Sequence, residues 1–453
     1  MGNNRLVQQF IYWGAWLIIP FLWEIGSGLV SAVFVLMKYF RKDSATLQFF
    51  PRVSILIPVY NSKSTLSACL ESIFHQAYPK ENLEVFLIDN GSKDGSYDIF
   101  TKFQMDYPQL KIWWYTSEQG KSKALNKGIF SSTGKYIINI DSDGCLDKNA
   151  VKNVVLKFES DEKISCMTGV VLIDIDLIEK TDRYILKNLR RCELLEYTES
   201  FLVGRNFQSI TGTMYTLAGA FSCFRREALM KTQMYNSETL GEDAHMTFQI
   251  KNFVGGKTIL CDNAFFYVDP IESLDKLYTQ RQRWQRAELE VASLFTKQHL
   301  GGIFDFVMKP SMRKLISDHT LTFPRLIWFF AMIYLYFINY PLNLLIGANV
   351  LLYGFYIFNS FLFLGVSSLY LKEQSKVRKY ILKHWHYCFI LPLYRFLVYW
   401  IRIAGTINSL TTESKWRTQT LTEEINAVES NIRGNIKTKF PIFRILRGWI
   451  NKE

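Results

Sequence analysis

The segment Tyr136-Ile-Ile-Asn-Ile-Asp-Ser-Asp143 decides how this chain folds. It begins as an apolar, β-branched run, which predicts a buried strand, and it ends in two acids one residue apart. In open α/β sheets, ligands bind just outside the carboxyl ends of the strands. Because side chains alternate along a strand, Asp141 and Asp143 share a face if the extended geometry continues to them. The two acids therefore lie where a ligand would bind.

Two interpretations of these acids are open. Two carboxylates on one face repel each other unless a cation lies between them, and oxygen ligands suit Mg²⁺ or Mn²⁺. Alternatively, Asp141-Ser-Asp-Gly144 is a solvated surface turn, since these residue types are common in turns. A bare pair of acids does not distinguish a metal site from a turn.

Further apolar runs flank this segment and alternate with helical patterns. Strands are predicted at Val53–Pro58, Leu83–Asp89 and Lys111–Tyr115, and helices are predicted from a cap at Ser62 or Ser64 to about Gln76 and over Lys121–Phe130. Alternating strands and helices indicate an α/β fold with a parallel sheet and right-handed crossovers. Asp89 then lies at the same sheet edge as Asp141 and Asp143.

Apolar residues are distributed unevenly along the 453 residues. About 20 apolar residues are needed to cross a bilayer. Long apolar stretches flank a middle region of soluble composition, at Phe10–Met37, Leu321–Tyr340, Leu342–Leu371 and Tyr387–Ile407. We therefore expect an α/β domain carried on about four membrane helices, with a hairpin at Pro341.

The last of these stretches is ambiguous. Tyr387–Ile407 contains Arg395 and Arg402, and an arginine inside a membrane is costly unless it faces protein or water. The tail that follows is basic, which favours the cytoplasm, whereas a third crossing after the hairpin would place it outside. The segment is either re-entrant or an exception to the positive-inside rule.

The net charge of +12 is concentrated beside the apolar stretches. Lysine and arginine clusters follow Met37, precede Leu321 and follow Leu371, which places the soluble domain on the cytoplasmic side of the plasma membrane. No separate basic patch indicates nucleic-acid binding. The seven cysteines are scattered without paired spacing, as expected of reduced thiols and not of a disulfide framework or a zinc site.

Motifs spread over residues 50–300 resemble those of family 2 glycosyltransferases. They are VSILIPVYN (Val53–Asn61), DNGSKDG (Asp89–Gly95), GKSKALNKG (Gly120–Gly128), DSD (Asp141–Asp143), LAGAFSCFRREA (Leu217–Ala228), GED (Gly241–Asp243) and QRQRW (Gln280–Trp284). The last is similar to the Q-x-x-R-W motif of the membrane-embedded synthases of cellulose, chitin, hyaluronan and poly-N-acetylglucosamine. The chain also resembles the glycosyltransferases associated with a Gram-positive exosortase-like system.

The resemblance implies a GT-A-like, Rossmann-like catalytic domain that uses a UDP-sugar and Mg²⁺ or Mn²⁺. In that comparison Asp143, with Asp141, holds the metal ion, and Lys121 lies near the diphosphate. The residues expected to bind the nucleotide sugar are Pro58, Tyr60, Asp89, Lys121, Asp141 and Arg283.

The resemblance also makes Asp243 the general base and Glu242 a supporting acid. A carboxylate is a weak base unless its surroundings raise its pKa, so a partly desolvated site is expected. The alternative is structural: acids are favoured at a helix N-terminus, and a helix is expected to follow Gly241.

Leu274–Phe295 has the pattern of an amphipathic helix at the membrane interface, with apolar residues at helical spacing and arginines over the rest. By resemblance, Gln280 and Trp284 bind the acceptor and Arg283 binds the diphosphate, since planar arginine suits phosphate. The alternative makes Trp284 an interfacial anchor and Arg283 a lipid-phosphate contact.

The expected organisation has five parts. They are a membrane anchor (residues 1–40), a GT-A catalytic domain (41–272), interfacial amphipathic helices with the Q-x-x-R-W motif (273–318), C-terminal transmembrane helices (319–410) and a basic tail (411–453). The expected function is inverting transfer of sugar from a UDP-sugar to a growing polysaccharide at the cytoplasmic face of the membrane. The expected partners are the donor, the glycan acceptor, the bilayer and proteins of a polysaccharide export system. Two alternatives are a transferase that adds one sugar to a lipid carrier and a catalytically silent scaffold.

Overall fold

The computed structural model describes residues 21–41, 47, 49–237, 239–298, 309–320, 322–411 and 420–424. The first half of the expected anchor and most of the basic tail, including Phe440–Ile450, lie outside these residues. An eight-stranded sheet in the order β3-β2-β1-β4-β7-β6-β8-β5 forms the centre of the fold. The strands are β1 (Val53–Val59), β2 (Leu83–Asp89), β3 (Lys111–Thr116), β4 (Tyr136–Ile140), β5 (Gly144–Leu146), β6 (Ile164–Ile173), β7 (Phe221–Arg225) and β8 (Lys257–Val268).

The α-helices fall into those of the sheet domain and those that follow it. The first group is α1 (Ser27–Tyr39), α2 (Leu66–Phe74), α3 (Ser96–Asp106), α4 (Lys121–Ser131), α5 (Ala150–Ser160), α6 (Ile175–Glu179), α7 (Tyr184–Tyr197), α8 (Arg205–Thr211), α9 (Arg226–Leu229) and α10 (Glu242–Gln249). The second group is α11 (Leu274–Gln298), α12 (Pro310–Thr320), α13 (Thr322–Phe337), α14 (Leu342–Tyr370), α15 (Ser375–Lys383) and α16 (Leu391–Thr411). Short π-helical turns cover Phe21–Gly26, Thr198–Gly204 and Ile250–Val254, and 3-10 turns cover Lys80–Asn82 and Trp385–Phe389.

The prediction of an α/β fold is confirmed, and the strands β1 to β4 run parallel as expected. Their carboxyl ends therefore meet at one edge of the sheet. The second half differs from the prediction, because β7 runs antiparallel between β4 and β6, and β5 is antiparallel to β8. An apolar run predicts a buried strand but not its direction, so the sequence pattern could not reveal this mixed sheet.

The expected cap of α2 is also wrong. The helix begins at Leu66 after Thr65, with no side-chain capping bond. Ser62 instead forms a hydrogen bond with Ser142, with 2.6 Å between the two hydroxyl oxygens. This bond joins the loop after β1 to the loop after β4, so the Ser62 side chain links these loops and does not cap the helix.

The expectation of about four membrane helices is not met in the described part of the chain. There, α14 alone is long and apolar enough to cross a membrane, and Ser27–Tyr39 and Leu326–Phe337 are shorter apolar helices. The chain turns between α13 and α14 at Asn339–Pro341, where the turn of the hairpin was expected. The second half of α14 packs on α1 and on the turn Thr198–Gly204, beside the sheet domain.

The segment Tyr387–Ile407, predicted to enter the membrane, packs one side on the sheet domain. It forms most of α16, and its buried apolar side chains belong to the same core as the strands, while other apolar side chains of this helix are exposed. Arg395 pairs with Glu199 on the turn that follows α7. Nε of Arg402 donates to Oε1 of Gln285 on α11 over 2.9 Å. The two arginines that are costly in a membrane therefore bind protein groups.

A short part of the tail, Thr420–Glu424, is docked on α11. The Glu424 carboxylate accepts hydrogen bonds from Tyr278, from Gln282 over 3.4 Å and from Asn408 over 2.7 Å. The hydroxyl of Thr422 donates to Asp275 on the same helix. This part of the tail thus lies on the same side of the molecule as α11.

The packing of α16 on α11 can be tested by a disulfide. A Cβ atom built on Gly405 lies 3.3 Å from Cβ of Gln285, close to the separation of about 3.5–4.5 Å found in disulfides. We expect Gly405→Cys with Gln285→Cys to cross-link under mild oxidation, giving a proteolytic fragment pair that separates only on reduction. Each single variant is the control. A double variant that stays reduced would mean that the two helices are apart.

Candidate active site

Loops at the carboxyl ends of the parallel strands are joined to each other. The Ser62–Ser142 bond links the loops after β1 and β4. Further along the edge, the Gly120 amide donates to Oδ1 of Asn90 over 2.5 Å, linking the loop before α4 to the loop after β2. These bonds hold the predicted strand-end residues in one continuous surface.

A cavity of about 330 Å³ opens at the Asp89 end of this surface. Asp89 accepts a hydrogen bond from the Ser92 amide over 2.9 Å, which fixes its carboxylate at the cavity wall. Pro58 lies in the neighbouring strand β1, and Tyr60 follows it with 51% of its surface exposed. The cavity is lined by Asp89, Ser92, Gly95, Ser96, Tyr97, Trp114 and Thr116. Tyr97, Trp114 and Thr116 were not predicted, because their role depends on where α3 and β3 pack.

Lys121 is the cation at the centre of the site. Its ammonium lies 2.5 Å from Oδ1 of Asp141 and donates to the Gly219 carbonyl over 3.3 Å. Burial acts to lower the pKa of Lys121, but the carboxylates of Asp141, Asp243 and Glu242 outweigh it and raise that pKa. The structure thus brings Lys121 together with three of the predicted acids.

Asp143 lies beside this ion pair at the floor of the cleft. Its side chain retains solvent contact, yet the surrounding protein and then the Asp141 carboxylate raise its pKa to about 6. No group of three acidic, histidine or cysteine side chains able to hold a metal is found in the described ranges. Two carboxylates nevertheless fit Mg²⁺ or Mn²⁺ in a nucleotide site, because such ions often bind through one or two carboxylates plus substrate phosphates.

Asp243 lies against Gly219, the residue whose carbonyl accepts a hydrogen bond from Lys121. A methyl group added to Gly219 would lie 2.1 Å from Oδ2 of Asp243, so the carboxylate rests directly on the glycine backbone. The hydroxyl of Thr247 donates to the Asp243 carbonyl over 2.7 Å and accepts from the Leu217 amide over 3.1 Å. The LAGAF and GED motifs are therefore one structural unit.

The environment of Asp243 suits a general base. Burial is the main cause that raises its pKa to about 7, with the Glu242 carboxylate second, while Lys121 and Arg205 oppose the shift. Glu242 is 8% exposed and begins α10 together with Asp243. The acids do start a helix, as the structural alternative states, and both act on Lys121, so the arrangement fits either interpretation.

The helix α11 is seated on the loop that carries the base. A methyl group on Gly241 would lie 2.8 Å from the Ala287 carbonyl, which leaves room only for glycine. The Leu240 amide donates to Oε2 of Glu290 on α11 over 2.9 Å. Gln280 and Trp284 are consequently held at a fixed position relative to Asp243.

Trp284 lies in a cluster of aromatic and cationic side chains. The Arg281 guanidinium is 4.3 Å from the centre of its ring, and Phe201 contacts it edge-on at 6.0 Å. Arg281 was not predicted as a site residue. It is 3% exposed and pairs with Glu196 over 2.5 Å, so it holds the indole by stacking.

The other two residues of the Q-x-x-R-W motif differ in environment. Oε1 of Gln280 is enclosed and accepts no hydrogen bond from the described residues. Leaving a buried acceptor without a donor costs free energy, and a bound ligand that donates a hydrogen bond to it would remove that cost. Arg283 is exposed on α11.

Comparisons with known proteins agree with this geometry. The sequence profile described as Glycosyl transferase family 2 matches residues 54–232. The chain is 24% identical over 272 residues to the poly-beta-1,6-N-acetyl-D-glucosamine synthase of Staphylococcus epidermidis, covering 59% of this chain and 62% of that protein. It is 25% identical over 319 residues to the probable glycosyltransferase YdaM of Bacillus subtilis, covering 69% of each chain.

Among solved structures, the fold is similar to the mannosyltransferase PcManGT from Pyrobaculum calidifontis in complex with GDP-Man and Mn²⁺. The TM-score is 0.55 at 15% identity, over 88% of this chain and 99% of that one. At this identity the likeness concerns the fold, which is GT-A-like. The chain spans 62% of the length of the staphylococcal synthase. Residues 54–232 are thus similar to glycosyl transferase family 2, in a chain whose fold is GT-A-like.

Proposed function

We propose that the chain is an inverting glycosyltransferase that adds sugar from a UDP-sugar to a growing polysaccharide at the cytoplasmic face of the plasma membrane. The observation that carries this proposal is the position of Asp243. Its carboxylate rests on Gly219, whose carbonyl accepts a hydrogen bond from Lys121, the partner of Asp141, while the loop before it supports α11. A base, a diphosphate site and an acceptor helix are the three parts that such a transfer requires.

The donor occupies the strand-end side of the cleft. The cavity at Asp89 takes the base and ribose, with Pro58 and Tyr60 at the adjacent end of β1. The diphosphate lies near Lys121 and Arg283, and Asp143 with Asp141 would hold Mg²⁺ or Mn²⁺. A divalent cation there would offset the negative charge that develops on the leaving diphosphate.

The reaction is a single displacement. The acceptor hydroxyl oxygen forms a bond to the anomeric carbon of the donor, and Asp243 takes the proton of that hydroxyl. The bond between the anomeric carbon and the diphosphate oxygen breaks, and UDP leaves with the electron pair. The raised pKa of Asp243 improves it as a proton acceptor at neutral pH. Glu242 contributes the second negative charge that maintains this raised pKa.

The acceptor occupies the side of the cleft formed by α11. Gln280 forms hydrogen bonds to the acceptor through its enclosed side-chain amide. Trp284 presents its indole to a sugar ring. The likeness to poly-N-acetylglucosamine synthases supports both roles. The helix α14 anchors the enzyme in the bilayer, next to α1. Proteins of a polysaccharide export system are the expected partners on the far side of the membrane.

One observation favours a second candidate, the transfer of a single sugar to a lipid carrier. The indole of Trp284 is covered on one side by Arg281 at 4.3 Å and is contacted at its edge by Phe201. A tryptophan held this way can support the helix without stacking on a polymer. In that case Q-x-x-R-W would be a packing motif at the membrane surface.

A donor screen separates these candidates. Detergent-purified protein with Mn²⁺ is given UDP-glucose, UDP-N-acetylglucosamine and UDP-glucuronate in turn, and UDP release and product length are followed together. We expect UDP release with long products, and loss of the long products in Trp284→Ala. The control is Trp385→Ala, which removes a half-exposed tryptophan remote from the cleft. Release of UDP with only one sugar added would establish the single-transfer candidate.

A further inference from the structure

Arg205 is a buried arginine that the motifs did not identify. It is 9% exposed, at the start of α8. A guanidinium has five N–H donors, yet in the described structure Arg205 donates a single hydrogen bond, from Nη1 to the Thr216 carbonyl over 3.2 Å. It forms no ion pair with the described residues. Most of its donors therefore have no partner within the described structure.

The position of Arg205 is fixed between the base and the acceptor helix. Thr216, which accepts its bond, precedes the LAGAF turn on which Asp243 rests. On the other side, its guanidinium carbon lies 4.9 Å from the centre of the Phe201 ring, and that ring contacts Trp284. The side chain thus joins the two parts of the proposed acceptor site.

The backbone before Arg205 is irregular. Thr198–Gly204, which carries Phe201, is π-helical and lies between the regular helices α7 and α8. Such turns are rare and are often found at functional sites, because they re-aim the side chains that follow. Here the turn directs Phe201 and Arg205 towards the same cleft.

Acidic residues of α10 and α11 lie near Arg205. The carboxylates of Glu288 and Asp243 both act on its guanidinium. Glu288 lies one helical turn beyond Trp284 on α11. Arg205 is therefore close to the proposed base and to the helix that carries Trp284.

We propose that Arg205 is an acceptor-binding residue, whose guanidinium donates hydrogen bonds to oxygen atoms of the acceptor sugar while Phe201 supports its flat face. The inference rests on the proposed function, and it assigns to the cleft a second acceptor contact besides Gln280 and Trp284. A planar, fixed fork of donors beside the base orients the sugar so that one hydroxyl faces Asp243.

The test compares Arg205→Lys and Arg205→Met with the unaltered enzyme. The assay uses the UDP-sugar found by the donor screen and size-fractionated oligosaccharides of the enzyme's own product as acceptors. Lysine keeps the charge but loses the fork, so we expect the acceptor KM to rise about 10-fold in Arg205→Lys and about 100-fold in Arg205→Met, with the donor KM within twofold. Arg205 and Lys121 lower the pKa of Asp243, whereas Glu242 and Asp141 raise it. Removing the charge in Arg205→Met should therefore raise the pKa of Asp243 and move the acidic limb of the rate profile to higher pH.

The control is Arg225→Lys. Arg225 is 7% exposed and donates to the carbonyls of Ile164 and Phe158 over 3.1 and 2.9 Å, within the sheet domain. Its replacement should lower the melting temperature and leave the acceptor KM unchanged. Arg205 variants with an unchanged acceptor KM, or with an equal rise in donor KM, would overturn the inference while the transferase activity stands. Failure of the unaltered enzyme to release UDP from any donor would overturn the proposed function itself.

Discussion

Replacing Asp243 with asparagine is expected to lower the turnover number by about 10²–10⁴-fold, the usual contribution of a general base. Asparagine keeps the size and contacts of the side chain beside Gly219 but cannot accept the proton of the acceptor hydroxyl. UDP binding, measured by calorimetry in the presence of Mn²⁺, should stay within a few-fold, because the nucleotide lies at the Asp89 and Lys121 side of the cleft.

The same variant should change the response to pH. The base works only when it is deprotonated, and burial and Glu242 raise the pKa of Asp243 to about 7. The turnover number of the unaltered enzyme should therefore fall as the pH drops through about 7, and this limb should be absent from the residual activity of Asp243→Asn. The control is Asp161→Asn, a surface acid paired with Lys257. Full turnover in Asp243→Asn with intact UDP binding would refute the role of the base.

Replacing Gly219 with alanine is expected to reduce the turnover number by about 100-fold without unfolding the protein. The new Cβ would lie 2.1 Å from Oδ2 of Asp243, well inside contact distance, so the carboxylate must move. The backbone of Gly219 is not in the left-handed region, so alanine can adopt its φ and ψ angles without strain. The only conflict is the steric contact between the new methyl group and the Asp243 carboxylate. A small displacement of a catalytic group is enough for a loss of this size.

Two comparisons make the Gly219→Ala result specific. Gly347→Ala on α14 adds a methyl group that meets nothing within 4 Å, and it should leave turnover unchanged. The double variant Gly219→Ala with Asp243→Asn should be no slower than the slower single variant, because both remove the same function and their effects do not add. If the losses multiplied instead, Gly219 would act on another part of the site.

Local sequence determined the first half of the sheet and the identity of the acids. The strands over Val53–Val59, Leu83–Asp89 and Tyr136–Ile140 match the predicted runs to within a residue, because an apolar run that ends in turn residues carries enough local information. Parallel order then brings Asp89, Asp141 and Asp143 to one edge. The motifs, in their order, also indicated the family.

Tertiary structure alone decided how those acids differ from one another. Asp141 is neutralised by Lys121, which lies 20 residues earlier in the chain, and Asp143 is not. The pKa of Asp243 is raised because the side chain is buried beside the LAGAF turn and because the Glu242 carboxylate disfavours a second negative charge. Periodicity describes only which face of one element is apolar, so it contains no information about these contacts.

The same limit explains the errors and omissions at the membrane side. The composition of Tyr387–Ile407 resembles that of a membrane segment, yet its arginines find Glu199 and Gln285 once α16 packs on α7 and α11. Arg205 belongs to no motif, and its place between Thr216 and Phe201 follows from a π-helical turn that no local signal announces. Sequence specified the chemical groups and the strands that carry them, whereas long-range packing specified their charges, partners and exposure.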